Sequence, residues 1–255
     1  MTMRPDIRIS PDAGWADATA ILLRELGRQA IRLRGRFLLA LSGGSTPQRL
    51  YQALAQPAKS QTEMDWHRTV FLFGDERCVS PDHPDSNYGM ARASLFAPLD
   101  IPPGHVHRMS GENPDPRAAA DEYERSLRTV VGCTEPEIPS LDLVLLGLGE
   151  DGHTASLFPG TTTLLESHRL VTVGRSPKGI PLRLTLTLGV INRASVILFL
   201  VTGSTKAQIV RRILAPQTAA DRALPAALVT PEPGHLIWML DQAAASELPS
   251  HNKPT

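Results

Sequence analysis

Cysteine is scarce in this chain: its 255 residues hold two, Cys78 and Cys133. Two thiols with no Cys-x-x-Cys pair make neither a disulfide framework nor a zinc site of the usual spacing, and they point to a reducing compartment. Cys78 follows an acidic-basic cluster, yet a buried structural thiol is the commoner fate of such a residue. An excess of charge of one sign is also missing, since Lys+Arg and Asp+Glu both number 26 and the formal net charge is zero. That balance argues against nucleic acid or an acidic membrane surface as the main partner. A small anion needs only a few local cations and is not excluded. No run of about 18 apolar residues occurs, so no membrane helix is expected. Residues 1–15 lack a basic stretch followed by a long apolar core, so no secretory signal is expected. There is no repeat of solenoid length and no low-complexity block. These absences together predict a soluble, cytoplasmic protein.

What is present is 42% hydrophobic residues, enough for a substantial core, arranged as strand, glycine turn and helix in succession. Helical spacing of Trp15, Ala18, Ile21, Leu22, Leu26, Ala30 and Leu33 predicts a helix over 12–34. Strands are expected at Phe37–Leu41, Thr69–Phe73, Leu141–Leu146, Ser195–Val201 and Leu236–Leu240. Thr46 is expected to cap a helix with Pro47 at its first position and Leu50, Tyr51 and Leu54 as its apolar stripe. Further helices are read up to Phe96, from Arg117 to about Val131, from Pro181 to Ala194, from Lys206 to Leu214, and briefly after the last strand. Leu-Thr-Leu-Thr-Leu within 181–194 also alternates as a strand does. The succession predicts an α/β fold, a doubly wound and mainly parallel sheet with helices on both faces. One domain over 1–255 is expected, with an ordered core of about 5–245 and a polar C-terminal tail.

The stretch from Leu141 to Gly160 is the richest in chemistry. An apolar strand runs into Gly147, Gly149 and Gly152, and the turn delivers Asp151 and His153 together at the carboxyl end of the strand. Open α/β sheets bind ligands at that end, and histidine suits proton transfer near neutrality. A helix-capping Asp followed by a surface His fits the spacing equally well. Ser42-Gly-Gly-Ser-Thr-Pro47 leaves another strand and opens a helix, so its backbone N–H groups suit a phosphate, with Ser45 and Thr46 adding hydroxyls. It is neither a dinucleotide turn nor a P-loop, and a plain strand-to-helix turn would read the same. Lys206 opens a helix, against the dipole preference for anions there, which suits a bound anion or a solvated side chain. Asp75, Glu76 and Arg77 follow a strand directly, and a surface ion pair is the bland alternative. Arg183 is an amphipathic-helix arginine by default. The common position of these groups at strand ends describes one crevice with a phosphate cradle, extra cations and an acid/base element.

Leu41–Pro47, Asp75-Glu-Arg77, Ser86-Asn-Tyr88, Gly147–Gly160, Pro181-Leu-Arg-Leu-Thr185 and Gly203-Ser-Thr-Lys206, in this order, closely resemble the motifs of the 6-phosphogluconolactonase family. The resemblance spans essentially the whole chain. It implies the Rossmann-like fold shared with glucosamine-6-phosphate deaminases, no metal or organic cofactor, and hydrolysis of 6-phospho-D-glucono-1,5-lactone, the second step of the oxidative pentose phosphate pathway. By motif, His153 would be the base, with Asp151 and Arg77 beside it in the catalytic set. Gly43, Gly44, Ser45, Thr46, Asp75, Asn87, Gly152, Arg183 and Lys206 would form the substrate site. Asp151 is too near His153 in sequence to be assumed to hold the imidazole; it would orient the turn or cap the next helix.

Two other functions are carried as alternatives. A deaminase block typically reads Asp-Gly-His-Ile-Ala-Phe-Asn-Glu-Pro, whereas here Phe158 stands in place of that Glu, and Arg77 in place of the Tyr of Asp-Glu-Tyr. A non-catalytic sugar-phosphate sensor would normally carry a DNA-binding domain, and the residues before Phe37 are too few for one. The expected partner is the small lactone alone, with no nucleic acid, no membrane and a monomeric state.

Overall fold

Phe37–Leu41, Leu143–Leu146 and Val196–Val201 have no polar side, so each needs cover on both faces, and they occupy the middle of a six-stranded sheet. The computed structural model describes residues 5–57 and 63–249. The strands are β1 (Asp6–Ser10), β2 (Phe37–Leu41), β3 (Thr69–Phe73), β4 (Asp75–Arg77), β5 (Leu143–Leu146), β6 (Val171–Arg175), β7 (Leu182–Leu186), β8 (Val196–Val201) and β9 (His235–Asp241). The helices are α1 (Asp12–Arg34), α2 (Ser45–Leu54), α3 (Asn87–Ala91), α4 (Pro116–Val131), α5 (Leu188–Ile191), α6 (Ala207–Leu214) and α7 (Ala219–Arg222).

The large sheet has the order β1-β9-β8-β5-β2-β3, and every neighbouring pair is parallel. From β2 the chain steps outward to β3, then returns to place β5 on the other side of β2. Right-handed crossovers therefore put α1 and α2 on one face and α4 and α6 on the other, the doubly wound arrangement expected. Winding reverses between β2 and β5, and such a reversal opens a crevice at the carboxyl ends of the strands. Trp15, Leu23, Leu50, Tyr51 and Leu54 of α1 and α2 are fully buried, as are Phe71, Phe199 and Trp238 of the sheet. The Phe199 and Trp238 rings stack at 4.0 Å between centroids.

The second sheet, β4-β7-β6, is antiparallel and was mostly illegible in the sequence. The expected helix over 181–194 is a strand at Leu182–Leu186 followed by the single turn α5. Its Leu-Arg-Leu-Thr-Leu alternation prevails because β4 and β6 offer a pairing edge on either side. Arg183 is thus a strand residue. Residues 75–77 likewise form a strand rather than a loop end. Residues 242–248 form turns instead of a short helix, and β1 extends the sheet where no strand was read. Of the polar tail, 250–255 lies outside the described residues. Among the described residues, no helix is long and apolar enough to cross a membrane.

Candidate active site

At the reversal of winding, a cavity of about 500 Å³ opens beyond the ends of β2, β3, β5 and β8. Its first wall is the turn after β2. The buried Tyr51 hydroxyl donates to the Ser42 carbonyl at 2.7 Å and accepts from the Ser42 N–H at 3.0 Å, which ties the turn to α2. Gly43 packs so closely on Asn87 that a Cβ there would lie 1.8 Å from Oδ1. Gly44, at φ 102°, is the residue before α2, so the cap is Gly44 and not the expected Thr46. Ser45 and Thr46 line the cavity, so the first N–H groups of α2, which have no partner within the helix, lie at this wall. The Thr46 hydroxyl instead pairs with that of Thr202 at 2.9 Å, joining this turn to the end of β8. Lys206 lies beyond β8, and its Nζ is 4.0 Å from Glu150 Oε1.

The second wall is the turn after β5. Gly152, at φ 85°, reverses the chain so that Asp151 and His153 meet. Asp151 Oδ1 accepts the His153 backbone N–H at 3.1 Å and lies 2.5 Å from the ring Nδ1. Asp151 therefore does hold the imidazole, contrary to the expectation from sequence proximity. A carboxylate acceptor places the proton on Nδ1, which leaves the Nε2 lone pair unengaged. Burial pushes the Asp151 carboxyl up, but the backbone N–H and imidazole of His153 outweigh it and hold Asp151 below the usual carboxylate range. The ring rests against Gly149, where a Cβ would come within 2.0 Å of Nδ1, and against Phe158 at 4.6 Å between centroids.

The small sheet forms the third wall. Arg77 and Arg183 sit opposite each other in the β4–β7 register, so both guanidiniums project from one face. Arg77 Nη1 donates to the Asp85 carbonyl and Arg183 Nε to the Ile180 carbonyl at 2.8 Å, while Arg77 Nε is buried with no hydrogen-bond partner among the described residues. Burial, then the charge of Arg77, hold Arg183 below the usual guanidinium range. An anion between the two would relieve that repulsion. Asp75 lines the cavity, but its carboxylate accepts from Asn87 Nδ2 at 3.2 Å and from Ser156 Oγ at 2.7 Å. Glu76 belongs to no surface ion pair. It is buried and accepts from the N–H groups of Arg77, Asn87 and Tyr88 and from Ser86 Oγ. Burial pushes its carboxyl up against the pull of those donors.

Of the residues singled out in the sequence, Gly43, Gly44, Ser45, Thr46, Asp75, Arg77, Asn87, Asp151, His153, Arg183 and Lys206 all line this cavity. Gly152 does not: it lies beneath the turn, where a Cβ would meet Leu224 at 2.9 Å, and its role is the backbone reversal. Cys78 lies outside the lining, and burial, followed by Glu76, pushes its thiol up, away from reactivity. Sequence reasoning missed Ser156, Glu150 and Lys178. Ser156 stood within the Gly147–Gly160 block; Lys178 sits on the β6–β7 connection, invisible once 181–194 is read as helix. Among the described residues, no three His, Cys, Asp or Glu side chains converge as a metal site would need.

Comparisons with known proteins give the family and the fold. Residues 11–238 match the family model described as glucosamine-6-phosphate isomerases/6-phosphogluconolactonase. The chain is 41% identical to a 6-phosphogluconolactonase of Nostoc sp., over 96% of this chain and 99% of that one. It is 46% identical to a 6-phosphogluconolactonase of Synechocystis sp., over 86% and 88% of the two chains. The solved structure of 6-phosphogluconolactonase from Trypanosoma brucei superposes with a TM-score of 0.84 at 30% identity, covering 96% of this chain and 99% of that one. A monomeric glucosamine-6-phosphate deaminase, at 22% identity and a TM-score of 0.75, shares the fold.

Proposed function

We infer the activity from the family: this chain belongs to the glucosamine-6-phosphate isomerases/6-phosphogluconolactonase, and within it hydrolyses 6-phospho-D-glucono-1,5-lactone to 6-phospho-D-gluconate, in the oxidative pentose phosphate pathway. The observation that carries the mechanism is the Asp151–His153 contact, which leaves a basic Nε2 in a cavity rich in anion donors. The lactone is an activated ester, so water can attack it without a covalent enzyme intermediate. His153 Nε2 takes a proton from that water as its oxygen bonds to the carbonyl carbon. Arg77, half-buried at the cavity wall, stabilises the oxyanion that forms. As the tetrahedral adduct collapses, the bond to the ring oxygen breaks and His153 returns the proton to that oxygen. Asp151 keeps the imidazole in one tautomer throughout and offsets its charge. The phosphate, remote from the reacting carbon, binds the N–H groups of the Gly43–Thr46 turn together with Lys206, and its binding energy positions the lactone. Arg183, beside Arg77, receives the carboxylate of the product.

Phe158 favours lactone hydrolysis over deamination. It packs on the His153 ring where the deaminase block has a Glu, so no second carboxylate reaches the imidazole from that side. In this reading the chain works as one domain and as a monomer in the cytoplasm, with no cofactor. The test generates the lactone in situ from glucose 6-phosphate and follows its loss, beside ammonia release from glucosamine 6-phosphate. Lactone loss above the spontaneous rate with no ammonia supports the reading; ammonia release without lactone loss refutes it.

A further inference from the structure

Ser156 is 1% exposed, lies in the turn Thr154–Leu157 just after His153, and is gripped by the small sheet at two points. Its Oγ donates to Asp75 Oδ2 at 2.7 Å, and its backbone N–H donates to Thr185 Oγ1 at 3.2 Å. Asp75 and Thr185 sit opposite each other in the β4–β7 pair, so a single rung of that sheet makes both contacts. Gly174 of β6 passes so close that a Cβ there would lie 2.7 Å from the Ser156 carbonyl. One residue earlier, Ala155 holds φ at 47°, a left-handed conformation that is strained for a residue with a Cβ. Such a conformation persists only where the surroundings over-determine it. On the far side, Asp75 accepts from Asn87, whose amide rests on Gly43. Contacts thus run without a break from the histidine turn through Ser156, Asp75 and Asn87 to the phosphate cradle.

We propose that Ser156 is a positioning residue: by gripping Asp75 and Thr185 it holds the strained Ala155 turn and fixes where His153 stands relative to the cradle. This rests on the lactonase reading above. A base and an anion site on separate turns act on one substrate only if their spacing is held, and a misplacement of about 1 Å costs on the order of 10²-fold in rate. The cradle holds the phosphate without Ser156, so loss of the grip lowers kcat and spares KM. A residue with a merely structural role would lower folded fraction and leave the kcat of the folded enzyme unchanged.

The experiment compares wild type, Ser156→Ala, Thr185→Val and the double variant on the lactone generated in situ, each corrected for folded fraction by circular dichroism. Thr185 does not line the cavity, and its hydroxyl accepts from the Ser156 N–H at 3.2 Å and donates to the Leu186 carbonyl at 3.1 Å, so Thr185→Val loosens the grip on Ser156 from outside the site. Ser156→Ala should lower kcat roughly 10- to 100-fold with KM within about threefold. Thr185→Val removes the separate contact to the Ser156 N–H and should show the same split at smaller size, and the double variant, with both contacts gone, should fall below Ser156→Ala. Values of kcat within about twofold of wild type, or KM rising as much as kcat falls, would overturn the proposal. If Ser156→Ala does not fold, unchanged kcat in Thr185→Val overturns it alone. A wild type at the spontaneous rate would sink the lactonase reading itself, whereas an active wild type with unaffected variants sinks only the role of Ser156.

Discussion

The parallel sheet gives the cavity main-chain donors together with side chains carried on its turns, His153 and Lys206 among them, whereas the small antiparallel sheet gives it side chains. Buried apolar strands of the first end in glycine turns, and those turns present N–H groups at Gly43–Thr46 and a backbone reversal at Gly152. Strands β4 and β7 instead use cross-strand register to set Arg77 beside Arg183 and Asp75 beside Thr185. The two differ in what a substitution can reach. A main-chain site is damaged by adding atoms, because its donors cannot be deleted. A side-chain site is damaged by removing them.

Gly43→Ala should be the severest test on the main-chain side. The new Cβ would collide with the buried Asn87 amide, so either the cradle or Asn87 must shift, and kcat/KM should fall on the order of 10²-fold in steady-state kinetics. A loss below threefold would show that the cradle is not held by this packing. Lys206→Ala removes a cation beside the cradle and should raise KM for the phosphorylated lactone roughly 10- to 100-fold, the worth of a charge-assisted contact. Residual activity on plain gluconolactone should be spared; equal losses on both substrates would contradict phosphate binding by Lys206.

On the side-chain side, Arg183→Met keeps the strand and removes one guanidinium. Affinity for 6-phosphogluconate, read by calorimetry, should weaken about tenfold. An unchanged affinity would leave the product carboxylate without its assigned partner. Asp151→Asn is the mildest change, since the contact is partly open to solvent, and turnover should fall roughly three- to tenfold. Its pH dependence has a defined sign. The folded carboxyl lies below its ordinary value, so its hold on His153 is complete above that ordinary value and is lost as pH falls through the lowered one. The ratio of wild-type to Asp151→Asn rates should therefore shrink in acid solution as Asp151 is protonated; a ratio unchanged down through the lowered carboxylate range would contradict this.

The same contrast explains what the sequence disclosed. Strands such as Phe37–Leu41 and Thr69–Phe73 were readable to the residue because burial on both faces leaves an uninterrupted apolar run. Their glycine turns were readable for the same reason, and with them His153, Gly43, Gly44 and Lys206. The small sheet was not. A strand of three charged residues, Asp75-Glu-Arg77, has no apolar pattern, and Leu182–Leu186 shares its leucines with a plausible helix. Pairing between β4 and β7, which lie far apart in sequence, decides the first, and the second is decided by that pairing together with its hairpin to β6. The Asp151–His153 contact was hidden differently: whether side chains two residues apart meet depends on the backbone between them, and here Gly152 in the left-handed region turns them together. Glu76 shows the limit most plainly, a charge that looks like surface and is instead the buried acceptor organising residues 86–88.

The central claim is that one imidazole, held by Asp151 on a turn of the parallel sheet, activates the water. The measurement that tests it most directly is the rate of 6-phosphogluconolactone loss with wild type, with folded His153→Ala and with no enzyme. The account predicts that His153→Ala falls about 10²–10⁴-fold below wild type, close to the spontaneous rate, while 6-phosphogluconate still binds. Near-normal turnover by His153→Ala would contradict it.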